Sequence, residues 1–202
     1  MTLKIYGIAR SRALRPLWLA EELGIPHELV PVDMRKGEQH APAYLAINPN
    51  GHVPAIDDGG LVLWESLAIT LYLAKKHGGP LAPRDLAEDG LMTMWSFWAV
   101  TEAEGPALKV LYNRALRPEA ERDEAEARAG IEALRKPTAV LEAQLSRSPF
   151  LVGDRFTVAD LNVASVYSYA KPAPEIFAEA PRVLAWLDAA LARPAFAAAR
   201  NA

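Results

Sequence analysis

Asn48-Pro49-Asn50-Gly51-His52-Val53-Pro54-Ala55-Ile56, followed a short turn later by Leu63-Trp64-Glu65-Ser66, is the stretch around which the rest of the chain is organised. Asn48-Pro49 and Asn50-Gly51 are both strong turn dipeptides, because Asn and Gly tolerate positive φ and Pro fixes it negative. Val53-Pro54-Ala55-Ile56 then reads as a short apolar strand with a proline near its start. A proline cannot donate to a strand ladder, so it belongs at an edge, a first residue or a bulge. A cis Val53-Pro54 bond would turn the Val53 amide and carbonyl outward, free for a ligand. Taken alone, an X-Pro bond is cis in about 5–6% of cases in folded proteins, so both isomers stay open here. Asp57-Asp58-Gly59-Gly60 turns the chain into a partner strand at Leu61-Val62-Leu63. A helix then opens near Glu65 with an acid and a hydroxyl. On capping preferences alone, Ser66 is an N-cap and Glu65 an acid that suits the helix dipole.

Upstream, Leu3-Lys4-Ile5-Tyr6 alternates and ends at Gly7, which reads as a first strand. Ser11 stands where an N-cap would, and Leu14, Leu17, Trp18 and Leu23 follow at helical spacing up to Gly24. Pro16 is expected to delay that helix or distort its first turn. His27-Glu28-Leu29-Val30, between Pro26 and Pro31, is a second strand. Strand, helix, strand at this spacing implies a right-handed crossover and a parallel pair. Pro42 to Ile47 is a short helical segment. The helix from Glu65 buries Leu67, Ile69, Leu71, Tyr72 and Leu73, and ends on Lys75, Lys76 and His77 before Gly78-Gly79-Pro80. The order β-α-β, short helix, β-β-α is that of a thioredoxin-like domain.

Downstream the pattern is helical throughout. The spacing predicts a helix from Leu91 to about Tyr112 with a kink at Gly105-Pro106, and another from Glu119 toward Leu145 that Pro137 kinks or breaks. Thr157-Val158-Ala159-Asp160 has the hydroxyl and acid of a capping box, opening a helix to about Ala170, and a last helix runs from Pro181 to Leu191. The expected organisation is a thioredoxin-like domain over 1–78, a linker over 79–87 and an all-helical domain over 88–202.

Composition narrows the function classes. Of 202 residues, 51% are hydrophobic and 23% charged, with a formal net charge of −3. Such a balance, without basic clusters, argues against a nucleic-acid partner. No apolar run approaches the roughly 18–20 residues of a membrane span, and Met1 to Tyr6 leads directly into a strand rather than a signal sequence; a cytoplasmic location is expected. There is no cysteine. Disulfides, cysteine metal sites and a protein-thiol nucleophile are therefore excluded, and no metal is expected.

Taken together, Asn48-Pro49-Asn50-Gly51-His52-Val53-Pro54, Glu65-Ser66-Leu67-Ala68-Ile69 and Gly153-Asp154-Arg155-Phe156-Thr157-Val158-Ala159-Asp160 resemble the two signatures of a bacterial, soluble glutathione transferase. The resemblance covers essentially the whole chain. It implies a cis Val53-Pro54 bond, with the Val53 backbone pairing with the cysteinyl part of glutathione like an added strand. It implies that Ser66 and its amide hold the γ-glutamyl carboxylate at a helix N-terminus, that Glu65 takes the ammonium, and that His40 and His52 are candidates for the glycyl carboxylate.

Ser11 is the candidate thiol activator, as in serine-type theta-like and phi-like classes; Tyr6 is the rival, and Arg12 or Arg10 would add positive potential. Lowering a thiol pKa from about 8.5 to about 6.5 requires roughly 2.7 kcal/mol. A hydrogen bond to a charged group contributes about 1.5–3 kcal/mol and a helix start about 0.3–1, so one hydroxyl suffices. The implied reaction is attack of the glutathione thiolate on a small, mostly apolar electrophile, as in detoxification. The pocket would lie between the domains, with Trp95, Trp98, Leu108 and Tyr112 as candidate walls, although an aromatic stripe at helical spacing is more often core. Peroxide reduction, dehalogenation and isomerisation are variants, and a catalytically silent binding or regulatory protein is the alternative. Glutathione is then a co-substrate, and the family's two-fold homodimer is the expected assembly.

Overall fold

The structure, a computed structural model, describes residues 2–202. Four short strands form one sheet in the order β2-β1-β3-β4: β1 (Leu3–Tyr6), β2 (His27–Val30), β3 (Ala55–Asp58) and β4 (Leu61–Trp64). β1 and β2 are parallel, with Leu3 opposite His27, as the intervening helix requires; β3 is antiparallel to both of its neighbours, with Ile56 between Ile5 and Leu63. α1 (Leu14–Leu23) makes the crossover, α2 (Pro42–Leu45) precedes β3, and α3 (Ser66–His77) follows the hairpin. Ile5 and Ile56 from the sheet, Leu17 from α1, and Ile69 and Leu73 from α3 have no exposed surface, and α1 packs on α3. This is the thioredoxin-like arrangement, followed in sequence by a helical region.

That region contains α4 (Leu86–Trp98), α5 (Gly105–Leu111), α6 (Glu124–Leu145), α7 (Val158–Tyr167) and α8 (Pro181–Leu191); a short α9 (Pro194–Arg200) ends the chain. By their contacts the residues form two compact units, one up to 82 together with 192–202, the other 83–191. The tail joins the first unit through α1. Phe196 meets Trp18 edge-on with ring centroids 4.9 Å apart, and Arg193 donates to Glu22, which also accepts from Trp18 Nε1. Sequence spacing gave no element there, because a run of alanines carries no apolar period.

Of the two prolines expected to disturb helices, Pro16 does so and Pro137 does not: α1 begins at Leu14, two residues later than a Ser11 cap would start it. Pro16 is the third residue of α1, where the missing N–H is one that no helix bond needs. The carbonyl it would otherwise address, Arg12 O, accepts from Arg15 N at 3.2 Å instead. Pro137 neither breaks nor divides α6, which is continuous over 22 residues with Leu134, Pro137, Thr138 and Leu141 all buried. Tertiary burial on both sides offsets the proline's intrinsic cost of about 3 kcal/mol. The helix also begins later than expected: Glu119–Glu121 is a 3₁₀ turn, and Asp123 caps α6 by accepting from Ala125 N and Glu126 N. Around Pro106 the chain stays helical by widening, with π-helical turns over Ala99–Glu104 and again over Tyr112–Leu116. Gly130 lets α5 and α6 approach; a Cβ there would lie 2.6 Å from Pro106 O.

The capping box at the start of α7 is formed. Asp160 accepts from Thr157 N and Thr157 Oγ1 through Oδ2, and from Leu151 N and Trp186 Nε1 through Oδ1, all at 3.0 Å. Among the described residues no helix is long and apolar enough to cross a membrane, and no group of three or more His, Cys, Asp or Glu could hold a metal ion.

Candidate active site

The site residues named from sequence come from the end of β1, three turns and one helix start of the first unit. The Val53-Pro54 bond is cis. It lies just before β3, which starts at Ala55, so Pro54 is outside the strand rather than near its beginning. Its entry is tied down from the inside. Tyr44 Oη donates to the His52 carbonyl at 2.6 Å, and the Asn48 side-chain amide donates to the same oxygen at 2.7 Å. Both side chains are buried, and burial pushes the Tyr44 hydroxyl up to about 12, so it remains a donor at any physiological pH. Asn48 Oδ1 in turn accepts from Asn50 N at 3.1 Å, which closes an Asx turn at the first of the two turn dipeptides.

Ser11 is not the N-cap of α1. Ala13 occupies that position, without a side-chain cap. Ser11 lies two residues earlier, half-buried, where its Oγ donates to Ile8 O at 2.7 Å and accepts from Ala13 N at 3.1 Å. Gly7 brings this turn against the Val53 turn. Its φ is +143°, and a Cβ there would lie 2.7 Å from Ala13 Cβ, 3.4 Å from Val53 Cβ and 3.6 Å from Ser11 Oγ. A side chain at position 7 would therefore collide with Ala13 and disturb the turn that carries Ser11.

At the start of α3, Ser66 is the first helical residue and Glu65 occupies the cap position without capping anything. Glu65 has φ 71° and ψ 106°, the one non-glycine residue with positive φ among the described residues. Such a conformation costs on the order of 1–3 kcal/mol and clusters at functional sites. The Ser66 hydroxyl accepts from Arg15 Nη1 at 2.9 Å, across 51 residues. Arg15 is 1% exposed and lies on α1, whereas the Glu65 side chain faces solvent. The α3 N-terminus thus collects a buried guanidinium, a hydroxyl and free helix amides, a combination that favours an anion.

His40 and His52 are exposed. The His40 ring rests on Gly51, where a Cβ would come within 2.8 Å of Nδ1. Tyr6 packs in a small apolar cluster with Val32, Tyr44, Ala55, Ile47 and Val53, its ring edge-on to Tyr44 at 6.3 Å. Arg12 is half-buried on the turn after Ser11, and Arg10 is exposed. In the second unit, Trp95 is buried and edge-on to Trp98 at 5.0 Å, and Trp98 stacks on Tyr167. Trp95 is core, whereas Trp98 is half-buried. Leu108 is half-buried, while Tyr112 is 38% exposed and carries Arg117 over its ring.

Residues 1–75 match the family model for the glutathione S-transferase N-terminal domain and residues 100–194 that for the C-terminal domain. The chain belongs to the glutathione S-transferase family. Among its relatives are a probable glutathione S-transferase of Oryza sativa subsp. japonica, 37% identical over 95% of this chain and 93% of that protein, and glutathione S-transferase 3 of Zea mays, 36% identical over 96% and 91%. Two solved structures are similar over nearly all of both chains. A glutathione transferase of Populus trichocarpa has a TM-score of 0.90 at 31% identity, covering 99% of this chain and 98% of its own. The theta class glutathione S-transferase of Xanthomonas axonopodis pv. citri, solved with glutathione bound, has 0.88 at 34%, covering 100% and 98%. For a glutathione S-transferase chain, sequence reasoning missed Gly7, Tyr44, Asn48 and Arg15 as parts of the site. Gly7, a glycine between a strand and a turn, and Asn48, in a turn dipeptide, carried local signals; Tyr44 and Arg15 act through contacts across the fold.

Proposed function

We propose that the protein is a serine-type glutathione transferase, holding glutathione on its first unit and activating the thiol for attack on a small, mostly apolar electrophile. The observation that carries this reading is the pairing of Ser11 and Val53 across Gly7, beside a cis Val53-Pro54 bond. Val53 offers its backbone to the cysteinyl residue of glutathione. Ser66, backed by Arg15, takes the γ-glutamyl carboxylate; Glu65 takes the ammonium; and His40 and His52 reach the glycyl carboxylate. Ser11 Oγ leaves Ile8 O, keeps the Ala13 N–H, and donates to the sulfur. The developing thiolate is the species this bond stabilises, so the thiol pKa falls. Tyr6 and Arg12 are left supporting roles, Tyr6 because its ring is engaged with Tyr44.

Calorimetric titration with glutathione, paired with conjugation of an electrophilic aryl halide, tests the reading. Binding at millimolar or lower concentration, and a rate that falls about 10- to 100-fold in Ser11→Ala with the bound-thiol pKa returning toward about 8.5, are expected. No binding, or an unchanged rate in Ser11→Ala, would sink respectively the function or the residue.

A homodimer and a cytoplasmic location, where glutathione keeps thiols reduced, complete the proposal. Two exposed apolar faces suit a second copy: Leu91, Met94 and Phe97 on α4, and Val62 and Trp64 on one face of β4, with Phe97 as much as 64% exposed. Light scattering is expected to report about twice the chain mass, and Phe97→Glu to lower it.

A further inference from the structure

The His52-Val53 peptide is held from one side only. Two buried donors, Tyr44 Oη and Asn48 Nδ2, converge on the His52 carbonyl oxygen at 2.6 and 2.7 Å. A trans peptide is planar and directs its N–H opposite to its C=O. Fixing the oxygen inward therefore directs the Val53 N–H outward, and no hydrogen bond to that N–H is formed among the described residues. Two donors on one carbonyl also use both of its lone pairs, which removes the rotational freedom that a single bond would leave. Tyr44 is not placed there by its hydroxyl alone. Its ring is buried in the cluster with Val32 and Ala55 and meets Tyr6 edge-on, so ring and hydroxyl are separable contributions. Asn48 is locked in turn by its own acceptor oxygen, which receives Asn50 N and Asn50 Nδ2 at 3.1 Å.

We propose that Tyr44 and Asn48 are a positioning pair for glutathione, aiming the Val53 amide at the tripeptide backbone and thereby setting its affinity without touching it. This rests on the glutathione-binding reading above. It separates the affinity for glutathione from the chemistry of the thiol. The pair acts on the peptide before Pro54, whereas Ser11 acts on sulfur from the turn that follows Gly7.

The test uses the full chain and Tyr44→Phe, which removes one oxygen and keeps the packed ring. Losing one neutral hydrogen bond to a pre-aimed peptide is expected to raise both the calorimetric Kd and the KM for glutathione about 5-fold. kcat at saturating glutathione, the KM for the electrophile and the pH profile of the bound thiol are expected to stay within 2-fold. Asn48→Asp keeps the acceptor for Asn50 and replaces the second donor by a carboxylate oxygen facing the His52 carbonyl; its KM for glutathione is expected to rise further, by more than 10-fold. In ¹⁵N-labelled wild type the Val53 amide resonance shifts on adding glutathione, and in Tyr44→Phe its free-state position is already displaced. If wild type binds glutathione and Tyr44→Phe binds it equally well, the positioning role is wrong while the function stands. A fall in kcat matching the rise in KM overturns it as well, because that would mark general loosening. If wild type itself does not bind glutathione, both readings fall.

Discussion

Two helix starts in this chain carry a hydroxyl residue beside an acid, and they are built in opposite ways. At α7, Thr157 is extended with φ −126°, Asp160 is fully buried, and its carboxylate accepts from four donors, three of them within the loop and one from Trp186. Each polar group there has a partner inside the fold. At α3, Glu65 is exposed in a strained left-handed conformation, its side chain caps nothing, and the hydroxyl of Ser66 is met by an arginine from another helix. A start closed on itself adds stability and offers nothing to a ligand. A start that leaves its amides open, carries backbone strain and gathers positive charge gives up stability for binding. The same residue types therefore serve as a staple in one unit and as a candidate binding site in the other.

The comparison can be broken most sharply at Asp160. Asp160→Ala strands the buried Thr157 and Leu151 amides and the Trp186 indole, so a loss of about 3–5 kcal/mol is expected in chemical denaturation. Catalysis per folded molecule should be retained, and a loss below about 1 kcal/mol would show that the closed start is not a staple. At the open start the signs reverse. Glu65→Gly removes the strained φ and is expected to raise stability by roughly 1 kcal/mol less the extra chain entropy of glycine, while KM for glutathione rises several-fold. Destabilisation with unchanged KM would mean that the strain serves packing.

The smallest effect concerns acid. Arg155, in the loop leading to the closed start, donates twice to Glu88, and this pair, with the Arg84 amide, holds the Glu88 carboxyl down to about 2 from an ordinary 4.5. A folded pKa below the unfolded one gives stability that is complete above about pH 4.5 and is lost as pH falls toward about 2. Thermal midpoints followed from pH 6 to pH 3 should fall less steeply in Glu88→Gln than in wild type; parallel curves would remove this pair from the account.

How much was legible follows from the range of the signal. The strands at Leu3–Tyr6 and His27–Val30, α8 and the capping box at Thr157 were readable because period, turn dipeptides and caps are local properties. Val53, Pro54, Glu65, Ser66 and Ser11 could be named from motifs, but their roles could not be read from spacing alone. The cis isomer is a minority state that surrounding packing must select, and Ser11 resembled a plain cap until Ala13 proved to hold that position.

What the sequence determined by itself was the order of strands and helices up to His77, the absence of any protein thiol and the position of the Asn48–Pro54 turn, since each depends on residues adjacent in the chain. Tertiary structure alone decided that Arg15 reaches Ser66, that Tyr44 and Asn48 share the His52 carbonyl, that Gly7 brings Ser11 and Val53 together, and that Pro137 stays inside one helix. The physical reason is common to all four. Each depends on where a side chain or a missing Cβ lies once the chain has packed, and burial and hydrogen bonds set by packing override local preference without leaving a period in the sequence.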